Sequence, residues 1–145
     1  LPADVSAPML VVLHSGARPS RLPELIAARS PLSASHAEDG ERVRPGHVLV
    51  APPDRHLTVS DGHARLSHGP KEHHTRPAID PLFRSVALSR GAAAIGVMLS
   101  GHLDDGTAGL QAIKACGGTA PAQEPADATE PSMPLSAPRP VAAAA

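Results

Sequence analysis

The sequence predicts an α/β fold with a mainly parallel sheet and an added antiparallel hairpin, and three observations point that way. Short apolar runs, among them His47 to Ala51 and Ala94 to Leu99, have the character of strands buried on both faces, as in parallel sheets. Stretches with helical spacing alternate with these runs. Asp61-Gly62 separates two strand-like segments, the usual chemistry of a two-residue hairpin turn.

The elements follow in order. Met9 to Leu13 is a strand, and Leu22 to Ala28 a short helix opened by Pro23, whose missing N–H costs nothing in a first turn. An extended stretch near Ser35 to Ala37 and a turn at Asp39-Gly40 precede the strand from His47 to Ala51. His56 to Val59 and Ala64 to Leu66 form the hairpin. Ile79, Leu82, Phe83, Val86 and Ala87 then recur at i, i+3, i+4, i+7 and i+8, which places one apolar stripe on a helix begun by Asp80-Pro81 and ended by Gly91. Residues 107 to 115 predict a further helix through Leu110, Ile113 and Lys114. Gly118 to Ala122 is a last short strand weakened by Pro121.

The most informative segment runs from Ala94 to Gly106, where an apolar strand stops at Gly101 and delivers Asp104 and Asp105 just before a helix. Carboxyl ends of strands in open α/β sheets are where ligands bind. Either acid could instead cap the helix that starts near Gly106, and two side by side suggest that one caps while the other works.

Three blocks carry a resemblance. Gly101-x-x-Asp104-Asp105-Gly106-x-x-Gly109, the stretch from Ala37 to Pro53, and Arg76-Pro-Ala-Ile-Asp-Pro-Leu-Phe83 stand in an order that resembles the catalytic domain of CheB-type chemotaxis protein-glutamate methylesterases. The likeness runs from about Leu1 to Met133. It implies a three-layer αβα domain with a doubly wound sheet over residues 1 to 134, while the Pro/Ala-rich composition of 135 to 145 is that of a disordered tail. It also implies a cytoplasmic enzyme that hydrolyses methyl esters of glutamate side chains on chemoreceptor helices and deamidates glutamine there. A receiver domain or a methyltransferase is a further partner that the family admits.

Carried over by motif, His14 corresponds to the general base, Asp105 to the acid that orients it, and the backbone N–H of His102 to an oxyanion donor. The family's nucleophile lies in a Gly-x-Ser-x-Gly-Gly stretch about a dozen residues before the base, and no such stretch occurs here. A strand and that turn are therefore expected upstream of Leu1. Ser15 adjoins His14 on an extended segment and should point away from it, while Ser100 lacks the flanking glycines of a nucleophile elbow. The chain as given is expected to be inactive. The alternative is a catalytically dead CheB-like partner-binding module, favoured by His14-Ser-Gly-Ala-Arg in place of a His-x-Pro-Pro-Gly pattern.

Composition narrows the remaining classes. The 145 residues are 41% hydrophobic, with Phe83 the single aromatic, so Leu, Val, Ile and Ala must build the core. Thirteen basic and fourteen acidic residues leave a net charge of -1 with no basic stripe, which argues against nucleic acid. No apolar run reaches the length of a membrane span. No cofactor is expected. A metal site is not expected either: His102, Asp104 and Asp105 cluster and His73-His74 could approach, but paired-ligand spacing is absent and adjacent histidines diverge on an extended loop. His36, His47, His56, His63 and His68 are explained as solvent-facing positions, Arg76 as a surface charge rather than a receptor contact, and Cys116 as a small buried residue.

Overall fold

A computed structural model describes residues 4–100, 104–127, 129 and 135. Strands β1 (Met9–Val11), β2 (Ser33–His36) and β3 (His47–Val50) form a parallel sheet in the order β1-β3-β2. Leu10 lies opposite Leu49 and Ser35 opposite the same residue on the other side. Because side chains alternate along β3, its two faces feed two layers. Val48 and Val50 pack with Leu22 and Ile26 of helix α1 (Leu22–Arg29), which carries Pro23 in its first turn. Leu49 turns the other way, toward Leu57, Ala64 and Leu82.

That second layer holds the hairpin and the longest helix. Strands β4 (His56–Ser60) and β5 (His63–Ser67) pair antiparallel around Asp61 and Gly62, both with positive φ, as the Asp-Gly pair predicts. They form a separate two-stranded sheet and are not an extension of the parallel one. Helix α2 (Ile79–Arg90) covers them with the expected stripe, Leu82 and Ala87 buried and Phe83 and Val86 packed against the same core. Its C-terminus is closed by Gly91, whose N–H bonds to the Ala87 carbonyl at a positive φ of 51°. Helix α3 (Thr107–Ala115) packs Leu110 and Ile113, both fully buried, beneath α2.

Several expectations are corrected. The run from Ala94 to Leu99 is extended but not buried on both faces. Ala94, Gly96 and Met98 are buried, whereas Ile95, Val97 and Leu99 are 66%, 54% and 62% exposed. It joins Thr119 and Ala122 through isolated parallel bridges, so the last strand shrinks to those two contacts. An apolar run cannot disclose from within which of its faces has a neighbour.

Cys116 is exposed, because the helix ends one residue earlier and the chain turns outward at Gly117. His56 is 4% exposed, held by its two ring nitrogens against the Pro70 carbonyl and the Ala78 N–H. The expected tail lies outside the described residues except for Leu135. No helix among the described residues is long and apolar enough to cross a membrane.

Candidate active site

Helix N-termini leave their first N–H groups without partners inside the helix. Neither α2 nor α3 is capped by its own N-cap side chain. Asp105, in the turn before α3, accepts the N–H groups of Ile79 and Asp80 at 2.6 and 2.9 Å, which are the first two of α2. Asp80 in turn accepts the Gly109 N–H of α3 at 2.7 Å. Each carboxylate thus satisfies the other's helix, and both are almost wholly buried, 0% for Asp105 and 1% for Asp80. The helix that begins after Gly106 is capped, but by Asp80 and not by Asp104 or Asp105.

The arrangement depends on close approach of the two helices. A Cβ at Gly109 would collide with the Phe83 side chain and sit 3.0 Å from Asp80 Oδ1. Glycine there lets the α3 backbone reach the carboxylate directly.

His14 follows β1 and meets Asp105 across the site, Nε2 to Oδ2 at 2.7 Å. An ionised carboxylate only accepts, so Nε2 must carry the proton and, in the neutral ring, Nδ1 is left as a proton acceptor. That is the polarity a general base requires. Burial works to raise the Asp105 carboxyl, but the His14 hydrogen bond, the Ile79 and Asp80 N–H groups and the His14 charge together hold it below the ordinary carboxylate range. The His14 side chain is 27% exposed and lines an open depression of about 490 Å³ with Leu13, Arg18, Leu22 and Leu25.

Asp104 and Asp105 separate as two adjacent residues should when one faces inward. The Asp104 side chain is 68% exposed and lies near His73, whose Nδ1 is 3.1 Å from its Oδ1. His73 Nε2 contacts Asp80 Oδ2 at 2.7 Å and stands 3.9 Å from Asp105 Oδ1. Desolvation works against a charge on His73, yet the Asp80 hydrogen bond and the charges of Asp105, Asp80 and Asp104 raise its pKa above the ordinary value.

The sequence points to Asp80 only as the start of a helix, and to His73 only with His74 as an approach to a metal set that is not expected. His73 and His74 do not lie on an extended loop: they are the two central residues of a tight turn, with φ of 51° and 61°, closed by paired backbone bonds between Glu72 and Thr75. The turn aims His73 inward. The only sequence signal was the His-His pair shortly before Asp80-Pro81.

By distance, His73, Asp80 and Asp105 could offer a cation three ligand atoms within 4.8 Å of one another. Those atoms already have N–H partners, since Asp80 Oδ2 takes the His73 ring and Asp105 Oδ1 takes the Asp80 N–H. Of the metal-candidate set drawn from the sequence, His102 lies outside the described residues, as does its backbone N–H as an oxyanion donor. Among the described residues no serine hydroxyl is bonded to His14; its recorded partner is Asp105.

Arg76 is not a surface charge. Its side chain, 18% exposed, grips Asp54 Oδ1 through Nε and Nη2 at 3.0 and 2.8 Å and the Gly69 carbonyl through Nη1, tying the hairpin's two flanks together. The Arg76 hydrogen bond holds the Asp54 carboxyl below its usual range.

Comparison with known proteins gives the family. A family model described as CheB methylesterase matches residues 1–144. A protein-glutamate methylesterase/protein-glutamine glutaminase 2 of Anaeromyxobacter dehalogenans is 41% identical over 127 residues, covering 87% of this chain and 37% of that protein. The Escherichia coli protein-glutamate methylesterase/protein-glutamine glutaminase is 41% identical over 110 residues, covering 73% and 32%. The chain therefore spans about a third of the length of such relatives. The crystal structure of the Thermotoga maritima CheB methylesterase catalytic domain superposes with a TM-score of 0.82 at 35% identity, covering 94% of this chain and 75% of that one. With the sequence blocks, the fold and the matched chains in accord, the chain belongs to the CheB methylesterase family.

Proposed function

We propose that these residues form the base and acid half of a protein-glutamate methylesterase and protein-glutamine deamidase site, completed by a serine supplied from protein outside the 145 residues. The observation that carries this reading is the 2.7 Å bond from His14 Nε2 to the buried Asp105 carboxylate. The names of the relatives supply the substrate class.

In the proposed reaction the serine oxygen attacks the ester carbonyl while His14 Nδ1 takes its proton. His14 then returns that proton to the departing methoxide, leaving methanol and an acyl-enzyme. Water, deprotonated by the same ring, releases the glutamate. With a glutamine side chain the leaving group is ammonia. Asp105 holds the tautomer and balances the transient imidazolium. The backbone N–H of His102 is the candidate for binding the oxyanion, Asp104 having turned away toward His73. The proposed substrate is the methylated cytoplasmic helix of a chemoreceptor, which sets the working compartment as the cytoplasm; a receiver domain or methyltransferase is a further proposed partner.

The second reading, an inactive partner-binding module, is favoured by one observation: no serine hydroxyl among the described residues is bonded to His14. One experiment separates the two. Methanol release from methylated receptor is measured for the full-length protein containing these residues and for residues 1–145 alone. Turnover in the longer protein, abolished by His14→Ala and absent from residues 1–145, is the expected result; no turnover in the longer protein establishes the inactive module.

A further inference from the structure

We infer that His73 is a positioning residue of this site, clamping Asp80 through Nε2 so that the start of α2, whose first two N–H groups hold Asp105, keeps its place. The inference rests on the reading of Asp105 as the acid that orients His14.

Nε2 donates to the Asp80 carboxylate, which only accepts, while Nδ1 lies 3.1 Å from Asp104 Oδ1. The three carboxylates around the ring favour its charged form. Its place explains how two carboxylates share a buried corner. Asp80 and Asp105 are each deprived of water, and a buried charge persists only when it is paired. His14 stands against Asp105 and His73 against Asp80.

The backbone supports a dedicated role. Two-residue turns with positive φ at both central positions favour Asn-Gly, because other side chains crowd the backbone there. Histidine at the first such position, with φ of 51°, keeps the turn while putting a ring on Asp80 that glycine could not supply. The titratable and charged groups around it are Asp80 on α2, Asp104 and Asp105 before α3, and, on its own turn, His74 and Glu72, the last paired with Arg84.

The test uses two conservative variants. Asparagine tolerates positive φ and imitates the Nδ1 side of the ring, keeping the reach to Asp104 and losing Asp80; glutamine imitates the Nε2 side and keeps Asp80. In protein labelled with 15N histidine, the Nε2–H proton of His14 should give a sharp downfield signal. It should broaden by exchange in His73→Asn and remain sharp in His73→Gln. In the full-length enzyme kcat should fall about tenfold in His73→Asn with KM unchanged, and recover in His73→Gln, as for loss of an outer hydrogen bond that orients a reacting group.

A folded His73→Asn protein with an unaltered His14 signal, or with unaltered kcat, overturns the inference. Should His73→Asn fail to fold, Asp80→Asn decides, since it releases His73 while an amide oxygen still takes the Gly109 N–H; a sharp His14 signal there also overturns it. Loss of the His14 signal together with no ester turnover in any wild-type form rejects the hydrolase reading instead and leaves the clamp standing.

Discussion

Asp105 caps the helix that carries Asp80, and Asp80 caps the helix that Asp105 precedes. This exchange makes the proposed catalytic acid a structural part of the helix pair. Its orientation toward His14 is inherited from backbone N–H groups, not from a mobile side chain finding its partner. The two residues therefore answer differently to substitution.

Asp105→Asn should leave substrate KM nearly unchanged in the full-length enzyme and lower kcat by about 10³ to 10⁴, because an amide cannot fix the His14 tautomer or balance its charge. Asp104→Asn should cost far less, its side chain being mostly exposed. His14→Ala and the double variant His14→Ala/Asp105→Asn should be equally slow. Methanol release under saturating substrate checks all three, and multiplying losses would remove the pair's claim to act as one unit.

Asp80→Ala should lower stability by about 2–4 kcal/mol, since it leaves the Gly109 N–H without its cap and His73 without its buried partner. Asp80→Asn, which keeps the cap and loses the charge, should fall between. Urea midpoints at constant slope give the comparison.

Gly109→Ala should destabilise although alanine is the better helix former. The propensity gain is at most about 1 kcal/mol. Overpacking against Phe83 and Asp80 Oδ1 costs about 1–3 kcal/mol and also pushes the N–H off the carboxylate. A raised melting temperature for this variant would contradict the close approach of α2 and α3.

The pH dependence of stability follows from two shifts of opposite sign. Asp105 is depressed, so its contribution is present above the ordinary carboxylate range and lost as pH falls through its lower folded value. His73 is raised from 6.5, so its contribution is complete below that value and lost as pH rises through the higher folded one. Stability should therefore decline on both sides of a mildly acidic plateau. Denaturation across pH should show the alkaline decline reduced in His73→Gln and the acid decline reduced in Asp105→Asn.

Much of this was legible in the sequence, for identifiable reasons. The α2 stripe from Ile79 to Ala87 and the Asp61-Gly62 turn are local patterns with one structural solution each, and the apolar run before His14 holds a strand, though only over Met9–Val11. The acid at Asp105 could be named because its motif is compact. His73 could not, because its partners lie 7 and 31 residues away and their convergence is decided by the packing of α2 on α3. The burial of His56 and the inward hold of Arg76 were hidden for the same reason: each bonds to backbone or carboxylate groups brought near by the hairpin's fold.

The alternation from Ala94 to Leu99 bears on how the protein must be handled. Ile95, Val97 and Leu99 form an exposed row of branched side chains on extended backbone, without a charge or a proline within the run. Segments of that composition seed cross-β association when two copies meet. Purified residues 1–145 should accordingly scatter more light as concentration rises, and a lysine in place of Val97 should suppress that scattering without disturbing Met98 and Ala94 on the buried side.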